Sequence, residues 1–373
     1  MRIAIFENIM TPGGHEVDFN RILAEEFTAL GHAVKFYVPA NFTFQFNYNL
    51  PVEYLKGDAV VYKNSRGIKK IFASVKREIN RQRWYSQLYD AQKNFDALIV
   101  PTSTYRYLRA LKHSDLKKIS VPLIFILHGI NPTEAPKFLD AAESLLPYEN
   151  IKLCVITLSE NIFGSKLKNI FPIYPPTFIP RDVKFFKRQP TDELIIGFFG
   201  QYRREKKLRD LLNVFVNADY NRKVKLIVQG STMHDEDRRD FDEIINEYKK
   251  FDGLNFIHRG LIGADWQRAI LDVDALLMPY SAPRYRYHWG AMLFTAIGFK
   301  KPVIASNDIN PEVFEKFNVG KTFESGNLAE LNITLKNFID DFDNDFQAYE
   351  KNLDDAADIF SPKNFVKRLI ETF

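Results

Sequence analysis

PPTFIPRDVKFFKRQPTDE, residues 175–193, is the stretch whose reading decides the fold. Pro175, Pro176 and Pro180 fall within its first six residues. Each proline fixes φ, removes a backbone donor and biases the residue before it away from the helical region. Neither a helix nor a central strand is expected there, so residues 176–193 read as a linker. The same alternation lies on both sides of it. Upstream, Arg2–Phe6 is an apolar strand, DFNRILAEEFTAL (18–30) an amphipathic helix stopped by Gly31, and AVKFYVP (33–39) a second strand. Further strands are expected at 97–100, 121–127 and 153–157, with a short one in FPIYPP. A long basic helix is expected over 68–94, and 42–55 reads as loop with weak strand content. Downstream, LIIGFFG (194–200), VKLIVQG (224–230), LNFIHRG (254–260), ALLMPY (275–280) and PVIAS (302–306) read as strands separated by helices. The rest is mostly helical. Two such alternations predict two doubly wound α/β domains, 1–175 and 194–361, with a cleft between them and ligands at the carboxyl ends of the strands.

Composition narrows the class. A chain of 373 residues suits two cores, and 46% hydrophobic with 26% charged residues excludes disorder. Fifty-one Lys/Arg against 47 Asp/Glu leave a net charge of +4, which does not argue for nucleic acid as a partner. The single cysteine, Cys154, rules out an intrachain disulfide and fits a reducing, cytoplasmic compartment. MRIAIFEN reads as a strand rather than a signal peptide, and no run reaches about 18 apolar residues. No HExxH, Cys/His ligand set or paired acid at a sheet edge is present, so no metal is expected.

Three places carry chemistry. In TPGGHE, Gly13 and Gly14 let backbone approach a ligand, and the following helix offers free N–H groups to an anion. GxGxxG is absent, which argues against a dinucleotide cofactor. After the strand ending at Gly200, Arg203, Arg204 and Lys206 crowd a helix start. Cations there oppose the helix dipole unless an anion joins them, and a diphosphate fits. The loop YSAPRYRYHWG (280–290) adds Arg284 and Arg286 before backbone N–H groups of Gly290, Ala291 and Met292. His128 emerges from the apolar run PLIFIL toward a ligand's hydroxyl, and His258 with Arg259 ends another strand. Between Lys63 and Arg83 lie eight Lys/Arg and one Glu. Lys69, Lys70, Lys76 and Arg77 there are interleaved with Ile68, Ile71, Phe72 and Val75, and Trp84 and Tyr85 follow. That helix either lies on an anionic bilayer or packs its apolar stripe on the first domain.

In order and spacing, GGHEVDFNRILAEEFTALGHAVKFYV, ILHG, VITLSENIFGSKL, FFGQYRREKKLRDLLNVF, LIVQGS, NFIHRGLIGADWQRAILDVDALLMPYS and GAMLFTAIGFKKPVIAS resemble the GT-B glycosyltransferases, specifically the family-4-like retaining group. The resemblance covers nearly the whole chain. It implies a nucleotide-sugar donor, as substrate rather than cofactor, on the C-terminal domain. It also implies a glycan or lipid-linked acceptor on the N-terminal one, and a C-terminal helix, 362–373, completing the first domain. Gly13 and Gly14 match the family's glycine turn, His128 its donor-sugar histidine and Lys206 a lysine of its diphosphate pair. Gln201 stands where the paired arginine is usual. Tyr287 and Thr295 stand where the family has two glutamates, so Tyr287 is expected at the sugar or phosphate and Thr295 at the ribose. The implied activity is sugar transfer in bacterial surface polysaccharide or glycolipid synthesis, at the inner face of the plasma membrane. A nucleotide-sugar epimerase and a noncatalytic nucleotide-sugar or glycan binder are the competing classes.

Overall fold

The structure, a computed structural model, describes residues 1–9, 16–59, 68–159, 162–180, 183, 191–286 and 288–373, with the side chains of 68–70, 283 and 286 left aside. The chain folds as two compact units: Met1–Pro175 together with Pro362–Phe373, and Pro176–Ser361.

In the first unit, β1 (Arg2–Phe6), β2 (Ala33–Pro39), β3 (Val52–Leu55), β4 (Ala97–Val100), β5 (Leu123–Leu127), β6 (Ile151–Ile156) and β7 (Ile170–Ile173) form one parallel sheet. Its order is β3-β2-β1-β4-β5-β6-β7. Helices on both faces leave the central strands no exposed side, which is why ALIV and LIFIL are apolar throughout and fully buried. The helix Pro362–Ile370 belongs to this unit. Phe365 meets Phe19 edge-on at 5.5 Å, and the Arg368 guanidinium lies 4.4 Å over Tyr174. Cys154 is buried there 3.8 Å from the Thr372 hydroxyl, and burial pushes its thiol up to about 12.

In the second unit, β8 (Glu193–Phe198), β9 (Lys223–Gln229), β10 (Leu254–Ile257), β11 (Ala275–Met278), β12 (Val303–Ser306) and β13 (Gly320–Phe323) form a parallel sheet ordered β10-β9-β8-β11-β12-β13. The edge strand β13, GKTF, falls where the sequence reads as helical. It pairs with β12 through Gly320, whose φ of +152° and whose place against Val303 leave no room for a side chain. A Cβ there would lie 1.9 Å from the Val303 carbonyl oxygen.

Two expectations change in this frame. The linker expected from 176 to 193 is packed at its start. Phe178 stacks on Trp289 at 4.5 Å, and the Thr177 N–H donates to the Phe360 carbonyl. Gly298 makes the close approach possible, since a Cβ there would meet Thr177 at 3.0 Å. The basic helix runs Ile68–Asp90 and then tightens into a short 3-10 turn. Its aromatic pair, Trp84 and Tyr85, is buried in the first unit's core rather than offered to an interface. The Trp84 indole N–H donates to the Gly57 carbonyl at 3.1 Å, which satisfies its one polar atom inside.

Candidate functional site

Ligands of open parallel sheets bind where neighbouring strands send their connections in opposite directions. In the second unit that point lies between β8 and β11, so the loops 199–207 and 279–290 meet there. Gly200, at φ +105°, turns the chain out of β8, and the Lys206 ammonium folds back over it. Lys206 is 7% exposed. Among the described residues it has no ion-pair partner. Its hydrogen bond to the Phe199 carbonyl is 3.4 Å long, and its other surroundings are the rings of Tyr280 at 4.6 Å and Phe198 at 5.7 Å. Burial, reinforced by Arg203 and Arg284 and opposed by Glu205, brings its pKa down to about 7.

Glu205, which the sequence hides inside RREKK, is the organiser. Its carboxylate accepts from Arg284 and, at 3.0 Å, from the Tyr285 hydroxyl, with Arg203 at 3.8 Å. Its carbonyl accepts from the Ser281 N–H at 2.9 Å. Arg284 stacks over Tyr285 at 4.9 Å and keeps a buried Nε without a partner. Two arginines thus share one carboxylate, and with Lys206 protonated beside them the cluster carries a surplus of two positive charges. Arg204 is not one of them: it points outward to Asp240 at 3.4 Å.

Buried Gln229 ties this loop to the next two. Its side chain accepts from the Gly200 N–H at 2.9 Å and donates to the Arg259 carbonyl at 2.5 Å. Beside it lies an open pocket of about 450 Å³ lined by Ser231, Thr232, Arg238, Asp242, His258 and Arg259, with Gly260. His258 Nδ1–H donates to Asp242 at 2.8 Å, because a carboxylate only accepts, and Nε2 faces Thr232 at 3.3 Å. The expected pair His258 and Arg259 therefore shares one polar pocket.

The loop before Gly290 is less available than its sequence suggests. The Gly290 N–H donates to Asn310 Oδ1 at 2.9 Å and the Ala291 N–H to the Trp289 carbonyl at 2.9 Å. Of the three amides expected to meet phosphate, only that of Met292 has no partner among the described residues. Asn310, buried in a left-handed conformation, also donates to the His288 carbonyl at 3.3 Å, so one side chain brackets this turn. Thr295 is buried in the helix Ala291–Gly298, and its hydroxyl donates to the Ala291 carbonyl at 2.8 Å. A back-bonded threonine has committed its proton inside the unit, which leaves its hydroxyl only as an acceptor toward a ribose.

The first unit has the matching switch point between β1 and β4. There Glu7, unremarked in sequence, is buried. One oxygen accepts from the Asn8 and Ile9 N–H groups at 2.7 Å each, the other from Asn20 at 2.8 Å. Burial nevertheless raises its pKa to about 7, with the Asn20 bond pulling the other way. The Tyr107 hydroxyl donates to Asn8 at 2.5 Å. His128 sits at the same edge. Its Nε2–H donates to the Pro101 carbonyl at 2.8 Å, and its ring stands edge-on to Phe19. Gly13, Gly14 and Tyr287 lie outside the described residues, as do the side chains of Arg286, Lys69 and Lys70. Among the described residues no group of three His, Cys, Asp or Glu side chains could hold a metal ion.

No protein-family model matches the sequence, nor does any curated protein. Solved structures match it from end to end. HepE from Anabaena, in complex with UDP and glucose, is 16% identical with a TM-score of 0.72 over 100% of this chain and 99% of its own. A glycosyltransferase from Rickettsia africae is 15% identical, with a TM-score of 0.71 over 99% and 97%. WaaG, a glycosyltransferase involved in lipopolysaccharide biosynthesis, is 15% identical with a TM-score of 0.63 over 98% of each chain. At such identities the likeness establishes the fold, which is GT-B: two Rossmann-like parallel-sheet domains.

Proposed function

We propose that this chain is a retaining glycosyltransferase that moves a sugar from a nucleoside-diphosphate donor to a glycan or lipid-linked acceptor in bacterial surface polysaccharide or glycolipid synthesis. The observation that carries the proposal is Lys206. A buried ammonium with one long hydrogen bond is costly, and the surplus of two charges around it suits a diphosphate. Arg203 and Arg284 join it, with the Met292 amide. Glu205 holds Arg284 in place before the donor arrives. The pocket around His258 and Arg259 takes the base, which puts the diphosphate next to it across the Gln229 bracket.

The chemistry needs no protein nucleophile. As the bond from the sugar's anomeric carbon to the diphosphate breaks, negative charge grows on the leaving phosphate. Fixed cations in a water-poor site stabilise it without reorganising. A departing phosphate oxygen takes the acceptor hydroxyl's proton as the acceptor oxygen attacks the anomeric carbon from the same face, so configuration is retained. His128, held by Pro101, is assigned to the sugar together with Gly14 and Tyr287, and Gly13 and Arg286 to the phosphates. The likeness to HepE and WaaG supports the donor class and the polysaccharide setting.

A screen of UDP-, ADP- and GDP-sugars against glycan and glycolipid acceptors, read by mass spectrometry, tests the proposal. Acceptor-dependent product with release of the nucleoside diphosphate is expected. Interconversion of the sugar without acceptor would replace it with an epimerase. Tight donor binding without turnover across the whole panel would make the chain a binder. Lys206→Ala should weaken donor binding by roughly 1.5–3 kcal/mol, about tenfold to a hundredfold.

A further inference from the structure

The helix Ile68–Asp90 carries two apolar stripes on opposite faces. At roughly 100° per residue, Trp84, Tyr85 and Leu88, which pack in the first unit's core, share a side with buried Asn80 and Arg81. Ile71, Phe72, Val75 and Ile79 lie roughly 180° away, along about 12 Å of the helix axis. These four are 65%, 71%, 52% and 48% exposed. A helix that serves one core needs one stripe, and that need is met by the first. Single exposed apolar residues are ordinary, but four along one face form a patch.

Charge says what covers it. The helix holds six Lys/Arg (Lys69, Lys70, Lys76, Arg77, Arg81, Arg83) and two acids (Glu78, Asp90), a net +4. The whole chain has 51 and 47, also a net +4, so everything outside this helix sums to zero. Lys76 and Arg83 are exposed and lie just to the side of Phe72 in the helical projection. A second copy of the chain is a poor occupant. An isologous pairing would press these cations against their own counterparts. Four side chains also supply far less than the ~800 Å² per partner of a stable interface. An anionic bilayer has neither difficulty, because its headgroups neutralise the basic rim while a shallow apolar insertion suffices. We propose that this face, Ile71, Phe72, Val75 and Ile79 rimmed by Lys76 and Arg83, docks the protein on an anionic lipid surface, with Trp84 taking no part.

Cosedimentation of the full chain with phosphatidylglycerol-containing vesicles, against vesicles of phosphatidylcholine alone, tests this at about 0.05 M and about 0.5 M salt. Binding to the anionic vesicles at low salt, weakened at high salt, is expected. Ile71→Ser/Phe72→Ser and Lys76→Glu/Arg83→Glu should each weaken it by roughly tenfold or more. Both pairs are exposed, so their melting temperatures should stay at the wild-type value. Wild-type protein that ignores anionic vesicles at low salt overturns the proposal. So does binding that survives both double variants. A vesicle-free dimer dissociated by Phe72→Ser would instead assign the face to a second copy.

Discussion

Glu7 and Lys206 both lie at the switch point of their own sheet, Glu7 directly after β1 and Lys206 eight residues past the end of β8, folded back over Gly200. Both are buried, and burial drives both toward a pKa of about 7, from below for the carboxyl and from above for the ammonium. Their partners differ. Glu7 accepts three N–H bonds of 2.7–2.8 Å, whereas Lys206 donates one of 3.4 Å and otherwise faces aromatic rings. The carboxylate is part of the turn it sits in. The ammonium is left with most of its hydrogen-bonding capacity unused. A buried group's function is read from how far its neighbours have satisfied it, more than from its displacement alone.

The largest expected effect breaks the pair apart by pH. For Lys206 the folded value lies below the ordinary 10.5, so the unfolded chain holds the extra proton between about pH 7 and 10.5. Stability rises across that window. Lys206→Met should therefore be more stable than wild type at pH 6, by on the order of 5 kcal/mol at most, with the gap closing toward pH 10.5. Urea unfolding at several pH values reads this, together with the loss of donor binding. For Glu7 the sign reverses, because the folded state holds the extra proton between about 4.5 and 7. Its contribution is present at low pH and lost as pH rises through about 7. Unfolding should show wild type falling relative to Glu7→Gln by on the order of 3 kcal/mol across that window.

Smaller effects sharpen the picture of the second unit. Gly290→Ala places a Cβ 2.6 Å from Asn310 Oδ1 and 3.1 Å from Ile309, and must displace the bracket that holds the turn. A loss of about 1–3 kcal/mol in thermal unfolding is expected, with a weaker donor affinity in the same variant. Arg204→Ala should be nearly silent, within about 0.5 kcal/mol in unfolding and with donor affinity unchanged, because that side chain is 67% exposed and turned to Asp240. A strong donor-binding loss there would move the site.

The alternation of strands and helices and the break near Pro175 are legible, since they rest on local pattern; the run of cations after Gly200 is legible too, but not that Arg204 turns away from Arg203 and Lys206. What was not legible depends on distance in the chain. Asn310 brackets Gly290 across 20 residues, and Gln229 joins Gly200 to Arg259 across about 30 on either side. Glu205 reads as a stray acid in a basic run until Arg284 reaches it from 79 residues away. Glu7 carried one usable signal, a charge directly after IAIF, but a strand's end is also where charges are ordinary. Periodicity in the 68–90 helix shows the stripe of Ile68, Ile71, Phe72 and Val75, but not the shorter one of Trp84, Tyr85 and Leu88 that faces the core, so Trp84 reads as belonging to the exposed side. Thr295 matched a family position, yet its bond to Ala291 is a matter of rotamer that no spacing records.

The proposed donor site rests on Lys206 as a buried amine with one long hydrogen bond, which a diphosphate would complete. Calorimetric titration with nucleoside diphosphates at about pH 8, in two buffers of different ionisation heat, tests it directly. With a free-site value near 7, Lys206 is mostly neutral at that pH, and the bound diphosphate's negative charge restores its proton. Uptake approaching one proton per diphosphate bound is predicted for the wild type and none for Lys206→Met. Equal proton uptake and equal affinity in the two proteins would contradict the account.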